Sequence, residues 1–228
     1  MEIAGLQKTT LLDYPGKIAC TVFLSGCNLR CPFCHNASLV FPGRSVPLMT
    51  DQELLDFLST RKRKLDGVCI TGGEPTLCRE LPQLLQQIRD LGFSVKLDTN
   101  GTRPAVLKSL LDAGLLDYVA MDIKNSPEKY AATCGGPDVL DAVRESVQLL
   151  ERSGLEHEFR TTVFHPHHTP DDLAAIGQWL AGTNQYFIQV FVDSGDLIDT
   201  GSPLTEPEMY ALLEAVRPYI PNAKIRGI

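Results

Sequence analysis

Three cysteines lie within eight residues of one another, at Cys27, Cys31 and Cys34. Ferredoxin-type [4Fe–4S] cubes are held by four cysteine thiolates, one for each iron. A local set of three leaves the fourth iron without a protein thiolate, and an open iron can bind a small molecule, as the open position of a catalytic zinc does. The spacing therefore predicts a cluster with one iron free for chemistry.

Two plainer explanations of the cysteines stay open at this point. His35 could complete a zinc site, although it directly follows Cys34 and structural zinc sites normally use two spaced pairs of ligands. Disulfides are the other alternative, and they need an oxidising compartment. The remaining cysteines show no C-x-x-C spacing, so we expect no second cluster. Two are expected in buried strands and two in loops: Cys20 and Cys69, then Cys78 and Cys134.

The chain has 228 residues, of which 43% are hydrophobic, and its net charge is −7. This fits a single domain over residues 1–228, with an N-terminal segment 1–16, a core 17–192 and a C-terminal loop and helix 193–228. The acidic balance argues against binding along a nucleic-acid backbone. No apolar run approaches the roughly 18 residues of a membrane-spanning helix, and no signal peptide is evident. We therefore expect a cytoplasmic protein that binds neither nucleic acid nor a membrane.

The elements that would position the cysteines alternate between strands and helices. Apolar runs predict strands at residues 17–24, 67–71, 94–97, 116–121, 158–164 and 186–192. Apolar residues at helical spacing follow each run. Thr50 with Glu53, and Thr169 with Pro170, are expected to begin two of the helices. Six such units predict a parallel sheet that falls short of the eight units of a closed barrel, and an open doubly wound sheet is the alternative.

Polar motifs follow the predicted strands at their carboxyl ends. The cysteine segment follows the first strand, and three others follow the next three strands: Gly72-Gly73-Glu74-Pro75, Asp98-Thr99-Asn100-Gly101 and Asp122-Ile123-Lys124. The carboxyl ends of parallel strands share one edge of a sheet, and parallel α/β folds place their active sites there. Chance would distribute such motifs over both edges. We therefore expect the four segments to form one site.

The C-x₃-C-x₂-C spacing, with Phe33 directly before the last cysteine, resembles the radical S-adenosylmethionine (SAM) superfamily. The resemblance implies an α/β fold, a partial (β/α)₆ barrel of the TIM type, and the six predicted units agree with it. It also implies a [4Fe–4S] cluster whose open iron binds the amino and carboxylate groups of SAM. Electron transfer from the cluster then breaks a C–S bond of the sulfonium and releases a 5′-deoxyadenosyl radical.

The same resemblance implies which residues contact SAM. The Gly-Gly-Glu segment would receive the SAM amino group, because glycines allow close backbone approach and a carboxylate suits an ammonium. Basic side chains would reach the SAM carboxylate. The implied cofactor-binding residues are Phe33, Gly72, Gly73, Glu74, Asp98, Lys124 and Arg160. The plainer alternatives are an ordinary Gly-Gly turn, a surface amine at Lys124 and a structural ion pair at Arg160.

A monovalent cation, Na⁺ or K⁺, is a further implication of the resemblance to activating enzymes of glycyl radical enzymes. Oxygen ligands suit such a hard cation. The implied ligands are the side chains of Asp98 and Asp122 and the backbone of Thr99 and Ile123.

Two features of the sequence need separate comment: a loop rich in histidine, and the absence of a histidine that some relatives have. The histidines of a proline-rich loop, His165, His167 and His168, look like a metal cluster, but we expect them to be solvated. Some relatives carry a histidine after the sixth strand, and Gln189 lies in that region here. This difference indicates a subgroup distinct from pyruvate formate-lyase activases.

The stretch from Ile3 to Lys17 and the Cys-Pro-Phe-Cys-His-Asn segment resemble the short activating proteins of anaerobic ribonucleoside-triphosphate reductases. This resemblance implies an enzyme that removes a Cα hydrogen from one glycine of a glycyl radical enzyme, of the anaerobic ribonucleotide reductase or pyruvate formate-lyase type. Reduced flavodoxin or ferredoxin is the implied electron donor. Asp13 matches an aspartate that contacts the partner's glycine loop, so we expect it to hold a partner peptide.

Two other functions stay open on the sequence. The chain could be a radical SAM enzyme that modifies a small molecule, as tailoring enzymes do, or a zinc-binding module without catalysis. Its compact length favours a macromolecular substrate, because no spare domain is left to close over a small one.

Overall fold

A computed structural model of the chain describes residues 1–34, 36–41, 49–135, 138–199 and 201–227. One sheet of eight strands forms in sequence order. Its strands are β1 (Ile3–Thr10), β2 (Ala19–Leu24), β3 (Gly67–Gly72), β4 (Ser94–Thr99), β5 (Tyr118–Asp122), β6 (His157–Val163), β7 (Tyr186–Val190) and β8 (Lys224–Arg226). β1 pairs with β2 in antiparallel fashion, and every other pair is parallel. Within the described residues β1 and β8 are two unpaired edges, so the sheet is an open, partial barrel, as predicted.

Eight helices accompany the strands in the described parts of the chain. They are α1 (Ala37–Val40), α2 (Asp51–Ser59), α3 (Leu81–Asp90), α4 (Pro104–Asp112), α5 (Tyr130–Cys134), α6 (Leu140–Ser153), α7 (Pro170–Trp179) and α8 (Glu206–Val216). The six predicted strand–helix units run from β2 to α8, and each of their strands ends within two residues of its predicted bounds. None of the described helices has the length and apolar character needed to cross a bilayer.

Two strands were not predicted. The first sixteen residues were expected to form an N-terminal segment, and they contain β1, whose residues Gln7, Lys8 and Thr9 near its end are exposed. An edge strand that is solvated along part of its length lacks a continuous apolar run. The C-terminal segment was expected to hold a loop and a helix, but it also adds the three residues of β8 beside β7.

Side-chain caps begin the two helices for which they were predicted. Thr50 accepts a hydrogen bond from the backbone N–H of Glu53 at 3.2 Å, and the Glu53 carboxylate accepts one from the Thr50 N–H at 2.7 Å. Thr169 and Asp172 form the same reciprocal arrangement at the start of α7. Such caps satisfy N–H groups that the first turn of a helix leaves without a partner.

The two faces of the curved sheet have different surroundings. Alternate side chains of each strand face the helices and form the main core, for example Cys20, Val22 and Leu24 of β2. The opposite, inner face has a small apolar cluster where the strands begin, formed by Tyr14, Ala19 and Tyr118. The start of the strands is therefore the closed floor of the partial barrel, and the site lies at the other end.

The cysteines outside the triad follow the predictions except at one position. Cys20 and Cys69 are buried in strands, as expected, and all seven cysteines are free thiols. Cys134 was expected in a loop, but it is the last residue of α5 and is fully buried. The following Gly135 is left-handed at φ 55°, and a Cβ there would lie 2.2 Å from the Arg30 carbonyl oxygen. The end of α5 thus packs directly against the cysteine segment.

Candidate active site

A cleft opens at the carboxyl ends of the parallel strands, with a volume of about 810 Å³ including the solvent at its mouth. Pockets of about 300–1,000 Å³ are typical of small-molecule and cofactor sites. All four predicted segments line it, and so does Arg160 of β6. Among the predicted site residues, Ile123 and Asp13 do not line the cleft. Ile123 is fully buried in the main core, and Asp13 lies in the segment between β1 and β2.

The cysteine segment is held in place by its own backbone and by α5. Arg30 donates through its guanidinium to the carbonyl oxygens of Cys27 at 2.7 Å and Leu29 at 2.8 Å. Its backbone N–H donates to the carbonyl oxygen of Cys134 at 2.8 Å. The Leu29 N–H points at the Cys27 sulfur, 3.4 Å away. These contacts fix the thiols at the cleft before any ligand binds.

The three thiols of the cysteine segment lie at the same cleft. Within the described residues, which include the triad, no three His, Cys, Asp or Glu side chains converge as ligands of one metal ion. Cys27, Cys31 and Cys34 nevertheless line one cleft. Three thiols at one cleft could each bind a different iron of one cube. His35, the possible fourth zinc ligand, lies outside the described residues.

The protonation of the thiols differs along the segment. Burial raises the pKa of Cys27 to about 11 and also raises that of Cys34. A hydrogen bond with Cys134 lowers the pKa of Cys31. The positive charge of Lys124 favours the thiolate form of all three. Iron ligation requires thiolates, so this charge at the cleft supports ligand formation.

The glycines of the Gly-Gly-Glu segment have a structural reason to be there. A Cβ at Gly72, whose φ is 125°, would lie 2.2 Å from the carbonyl oxygen of Leu24. A Cβ at Gly73 would lie 2.0 Å from that of Gly26. Both glycines thus allow the end of β3 to lie against the start of the cysteine segment.

Glu74 links two strand ends. Its carboxylate is buried and accepts hydrogen bonds from the Thr76 N–H at 3.0 Å and hydroxyl at 2.5 Å, from the Thr99 hydroxyl at 2.9 Å and from the Asn100 N–H at 2.6 Å. Burial raises its pKa, and these donors oppose the rise. Protein groups therefore occupy both carboxylate oxygens at the edge of the cleft. The predicted contact of this residue with the SAM ammonium stays a prediction.

Five alternating charges run across β4, β5 and β6 on the inner face of the sheet: Lys96, Asp98, Arg160, Asp122 and Lys124. We call them the charged row. Lys96 bonds to Asp98, Arg160 bonds to Asp98 at 3.1 Å and to Asp122 at 2.5 Å, and Lys124 bonds to Asp122 at 2.8 Å. Arg160 is thus part of an ion-pair network and also lines the cleft. Lys124 is only 16% exposed, so it is not a surface amine.

Neighbouring charges favour the ionised forms of Asp98, Asp122, Lys124 and Arg160, although these side chains are largely shielded from solvent. Burial disfavours the charged carboxylates, but Arg160 and Lys96 lower the pKa of Asp98, and Arg160 and Lys124 lower that of Asp122. In return, the carboxylates raise the pKa of Lys124 and of Arg160 against the effect of burial. Opposite charges within a few ångströms shift pKa values in this way.

A second polar network, missed by the sequence reasoning, lies beside Cys27. The Asn100 amide donates to the Asn28 side-chain oxygen at 3.0 Å, and the Asn28 amide donates to the Thr102 hydroxyl at 2.8 Å. The Thr102 hydroxyl donates to the Asn100 side-chain oxygen at 2.7 Å, which closes the ring. The network joins the cysteine segment to the loop after β4. The Asp-Thr-Asn-Gly motif was the signal that could have identified Asn100.

The prediction of a solvated histidine loop is wrong for one of its residues. His168 is only 3% exposed, and its ring Nε2 lies 2.9 Å from the carbonyl oxygen of Lys124. Its ring also meets Phe33 edge-on, with 6.3 Å between ring centres. His165 is partly exposed and pairs with Glu208 at 3.1 Å. His168 therefore ties the loop after β6 to the segment after β5 and to the aromatic residue of the cysteine segment.

Comparison with known proteins identifies the family. Residues 21–180 match the Radical SAM superfamily, and they span most of the chain. The chain belongs to the radical SAM superfamily. It is therefore a radical SAM enzyme whose cofactors are a [4Fe–4S] cluster and S-adenosylmethionine.

Curated relatives of this radical SAM enzyme include activating enzymes, 7-carboxy-7-deazaguanine synthases and probable GTP 3',8-cyclases. A protein of Methanocaldococcus jannaschii named "Putative glycyl-radical enzyme activating enzyme" is 31% identical over 99% of this chain and 96% of its own length. A second protein of that name from the same organism is 28% identical over 97% of this chain and 81% of its own. The 7-carboxy-7-deazaguanine synthase of Aquifex aeolicus is 44% identical, but over only 35% of this chain and 34% of its own.

Solved structures share the fold of this radical SAM enzyme. Streptococcus suis SuiB bound to S-adenosylmethionine has a TM-score of 0.69 at 14% identity, covering 91% of this chain and 52% of SuiB. A domain of pyruvate-formate lyase-activating enzyme from Bacteroides vulgatus has a TM-score of 0.56 at 16% identity, covering 71% of this chain and 99% of the domain.

Proposed function

We propose that this radical SAM enzyme activates a glycyl radical enzyme by removing a hydrogen atom from the Cα of one of its glycines. The supporting observation is the similarity to a named activating enzyme along 99% of this chain and 96% of the relative. A similarity that spans both chains includes the segments outside the shared superfamily core, where the protein substrate would bind. We further propose an anaerobic ribonucleotide reductase or a pyruvate formate-lyase type enzyme as the partner, and reduced flavodoxin or ferredoxin as electron donor.

The residues of the cleft would divide the work as follows. When bound and reduced, the cluster supplies one electron that cleaves SAM to methionine and a 5′-deoxyadenosyl radical, which takes the glycine hydrogen and becomes 5′-deoxyadenosine. Cys27, Cys31 and Cys34 would hold three irons. The cleft presents the cationic groups of Lys124 and Arg160 from the charged row, and these suit the SAM carboxylate. The protein thus binds and orients, and the cofactors carry the difficult chemistry.

The protein partner would enter at the open side of the barrel. Within the described residues β1 and β8 do not pair, so the sheet leaves a lateral gap between its edges. A glycine loop suits a narrow entrance because glycine has no Cβ. We propose that Asp13 helps to hold this loop. Its carboxylate accepts a hydrogen bond from the Thr21 hydroxyl of β2 at 2.5 Å, which fixes its direction.

The first test is spectroscopic. The metal-free protein would be reconstituted with iron and sulfide under anaerobic conditions, reduced with dithionite, and its EPR spectrum recorded with and without SAM. We expect a [4Fe–4S]⁺ signal that changes shape when SAM is added, and its loss in Cys31→Ala. A reduced cluster that ignores SAM would contradict the cofactor assignment.

The second test follows the hydrogen. A pyruvate formate-lyase or an anaerobic ribonucleotide reductase labelled with α-deuterated glycine would be incubated with the reduced enzyme and SAM. We expect deuterium in 5′-deoxyadenosine and a glycyl radical signal with one of the two partners. Cleavage of SAM without deuterium transfer from either partner would favour the alternative below.

Asp13 has its own test. Asp13→Ala should weaken activation of the partner while reductive cleavage of SAM without partner is unchanged. Thr21→Val is the matched control, since it keeps the carboxylate but removes the hydrogen bond that directs it. We expect an intermediate loss of activation in that variant. Equal losses of activation and of SAM cleavage in Asp13→Ala would refute a role in partner binding.

A small-molecule substrate is the second candidate. The 44% identity to a 7-carboxy-7-deazaguanine synthase supports it, although that similarity covers only 35% of this chain. Tight binding of a small metabolite to the SAM-loaded enzyme, with deuterium transfer from that metabolite, would favour this function over activation.

A further inference from the structure

Lys96 is the most deeply buried cation of the charged row, and no motif drew attention to it. It lies in the middle of β4, and its side chain is 2% exposed. Lysine is almost never fully buried unless it is paired. The ammonium group bonds to Oδ1 of Asp98, while its other close neighbours are the Cys69 sulfur at 3.8 Å and the Tyr118 ring at 5.9 Å. Asp98 is therefore the carboxylate against which this charge is balanced.

All four carboxylate oxygens of the charged row already have a cationic partner. Lys96 contacts Oδ1 of Asp98, and Arg160 contacts its Oδ2. Arg160 also contacts Oδ1 of Asp122, and Lys124 contacts its Oδ2. The two carboxylates are the side-chain ligands that the resemblance to activating enzymes assigns to Na⁺ or K⁺. Each oxygen keeps a second lone pair, but a metal ion bound there would lie close to a tethered cationic side chain.

The balance of charge in the row also disfavours an added ion. Within the row itself, three cations and two anions leave one excess positive charge, and the nearby Cys31 and Glu158 also interact with Lys124 and Arg160. A monovalent metal would bring a second excess charge into a buried group, where like charges repel strongly. The carboxylate of SAM, in contrast, would neutralise the excess. The side chains of Asp98 and Asp122 are therefore poorly suited to bind the implied cation.

We propose that the ammonium of Lys96 is the built-in cation of this site and replaces the monovalent metal ion at Asp98. Lys96 is a positioning residue, since it holds the Asp98 carboxylate and, through it, the Arg160 guanidinium that faces the cleft. SAM binding and cleavage by this enzyme are accordingly independent of Na⁺ and K⁺. The proposal rests on SAM binding in the cleft and not on the identity of the protein partner.

The wild-type protein provides the first test. Binding of labelled SAM to the reconstituted enzyme would be measured by equilibrium dialysis in sodium, potassium and choline chloride at equal ionic strength. Choline is too large to enter the row, so choline chloride serves as the condition without a small cation. We expect the three affinities to agree within about twofold, because the Lys96 ammonium already supplies the positive charge. The melting temperature of the metal-free protein should also be the same in the three salts. A clear loss of SAM affinity or of melting temperature in choline would overturn the proposal.

Two variants of Lys96 make the test specific. Lys96→Ala removes the ammonium and leaves space for a small cation, whereas Lys96→Met removes the charge but fills the space. We expect SAM affinity in choline to fall about tenfold in both. Sodium, potassium or methylammonium should restore most of the affinity of Lys96→Ala, and none should restore Lys96→Met. If Lys96 were needed only for packing, Lys96→Met would bind SAM more tightly than Lys96→Ala in every salt.

The outcomes separate this proposal from the proposed function. Lys108→Ala is the control, since Lys108 also pairs with an aspartate, Asp112, but on the surface, and it should respond to no cation. The role of Lys96 is refuted if sodium, potassium and methylammonium raise neither the SAM affinity of Lys96→Ala nor the melting temperature of its metal-free form above the values in choline. If the wild type binds SAM as expected but transfers no deuterium from a glycine, only the activase function is refuted.

Discussion

Two groups of paired charges lie on the inner face of the same sheet, and β6 contributes to both. Glu158 and Arg160 are two residues apart on this strand and so point to the same side. Arg160 belongs to the charged row at the cleft. Glu158 lies nearer the floor. Its carboxylate accepts hydrogen bonds from two guanidinium nitrogens of Arg226, at 2.9 and 3.0 Å, and from the Tyr118 hydroxyl at 3.0 Å. Their chemistry is similar, but their surroundings are not.

The difference between the two groups is one of balance. The Glu158–Arg226 pair has one anion and one cation in a two-pronged contact, and the guanidinium also lies 3.7 Å above the Phe187 ring. It joins β8 to the sheet and has no unmatched charge. The charged row carries one excess cation and opens on the cleft. The balanced Glu158–Arg226 pair stabilises the fold, whereas the charged row, which has an excess cation and faces the cleft, is suited to an anionic ligand.

Replacing Arg160 should have the largest effect on this contrast. In Arg160→Met the Asp98 and Asp122 carboxylates lose their shared partner, and breaking a buried ion pair from one side costs about 3–5 kcal/mol of the free energy of unfolding. We also expect SAM binding to be lost. Urea unfolding of the metal-free protein and equilibrium dialysis with labelled SAM measure the two effects. Arg160→Lys, which keeps the charge but cannot bridge two carboxylates, should recover part of each.

Replacing Glu158 should affect stability alone. Glu158→Gln keeps the shape but removes the charge, and Arg226, whose side chain is 37% exposed, can turn to water. We expect a loss of about 1–3 kcal/mol in the free energy of unfolding, the usual cost of weakening a buried contact to a charged group. SAM affinity should stay within about twofold of the wild type. A loss of SAM affinity comparable to that of Arg160→Met would remove the distinction between the two groups.

The same contrast explains what the sequence could predict. Six strand–helix units follow from apolar periodicity, and the rule that parallel strands share a carboxyl edge brought together the segments that line the cleft. Lys96 escaped notice because a single lysine in a strand is ordinarily read as facing solvent. On a strongly curved sheet the inner face is buried as well, and only the fold reveals that Lys96 and Asp98 meet there.

Other features escaped because their burial depends on distant partners. β1 contains exposed polar residues, and it joins the sheet by pairing with β2. β8 is only three residues long, too short for a recognisable apolar pattern. His168 lies in a proline-rich loop that looks solvated, yet Phe33 from a segment far away in sequence covers it. Local patterns carry no information about such contacts.

His168 can be compared with the charged row, because it is buried next to Lys124 but its ring is neutral. Burial lowers its pKa below the ordinary value of 6.5, against the effect of its backbone partners at Lys124 and Phe164. The unfolded chain therefore takes up a proton more readily than the folded protein does. The stabilising contribution of neutral His168 is complete above pH 6.5 and declines as the pH falls below that value. The paired carboxylates of the row, with lowered pKa values, lose theirs only in more acidic solution.

Urea unfolding of the metal-free protein as a function of pH separates these contributions. Between pH 7 and pH 5 the wild type should lose stability, and His168→Gln should lose less, because its amide can still donate to the Lys124 carbonyl oxygen but does not titrate. At pH 7 the variant should be less stable by about 1 kcal/mol, since the ring contact with Phe33 is lost. If both proteins show the same slope in this pH range, another group is responsible, and His168 holds the loop through packing rather than through its unprotonated ring.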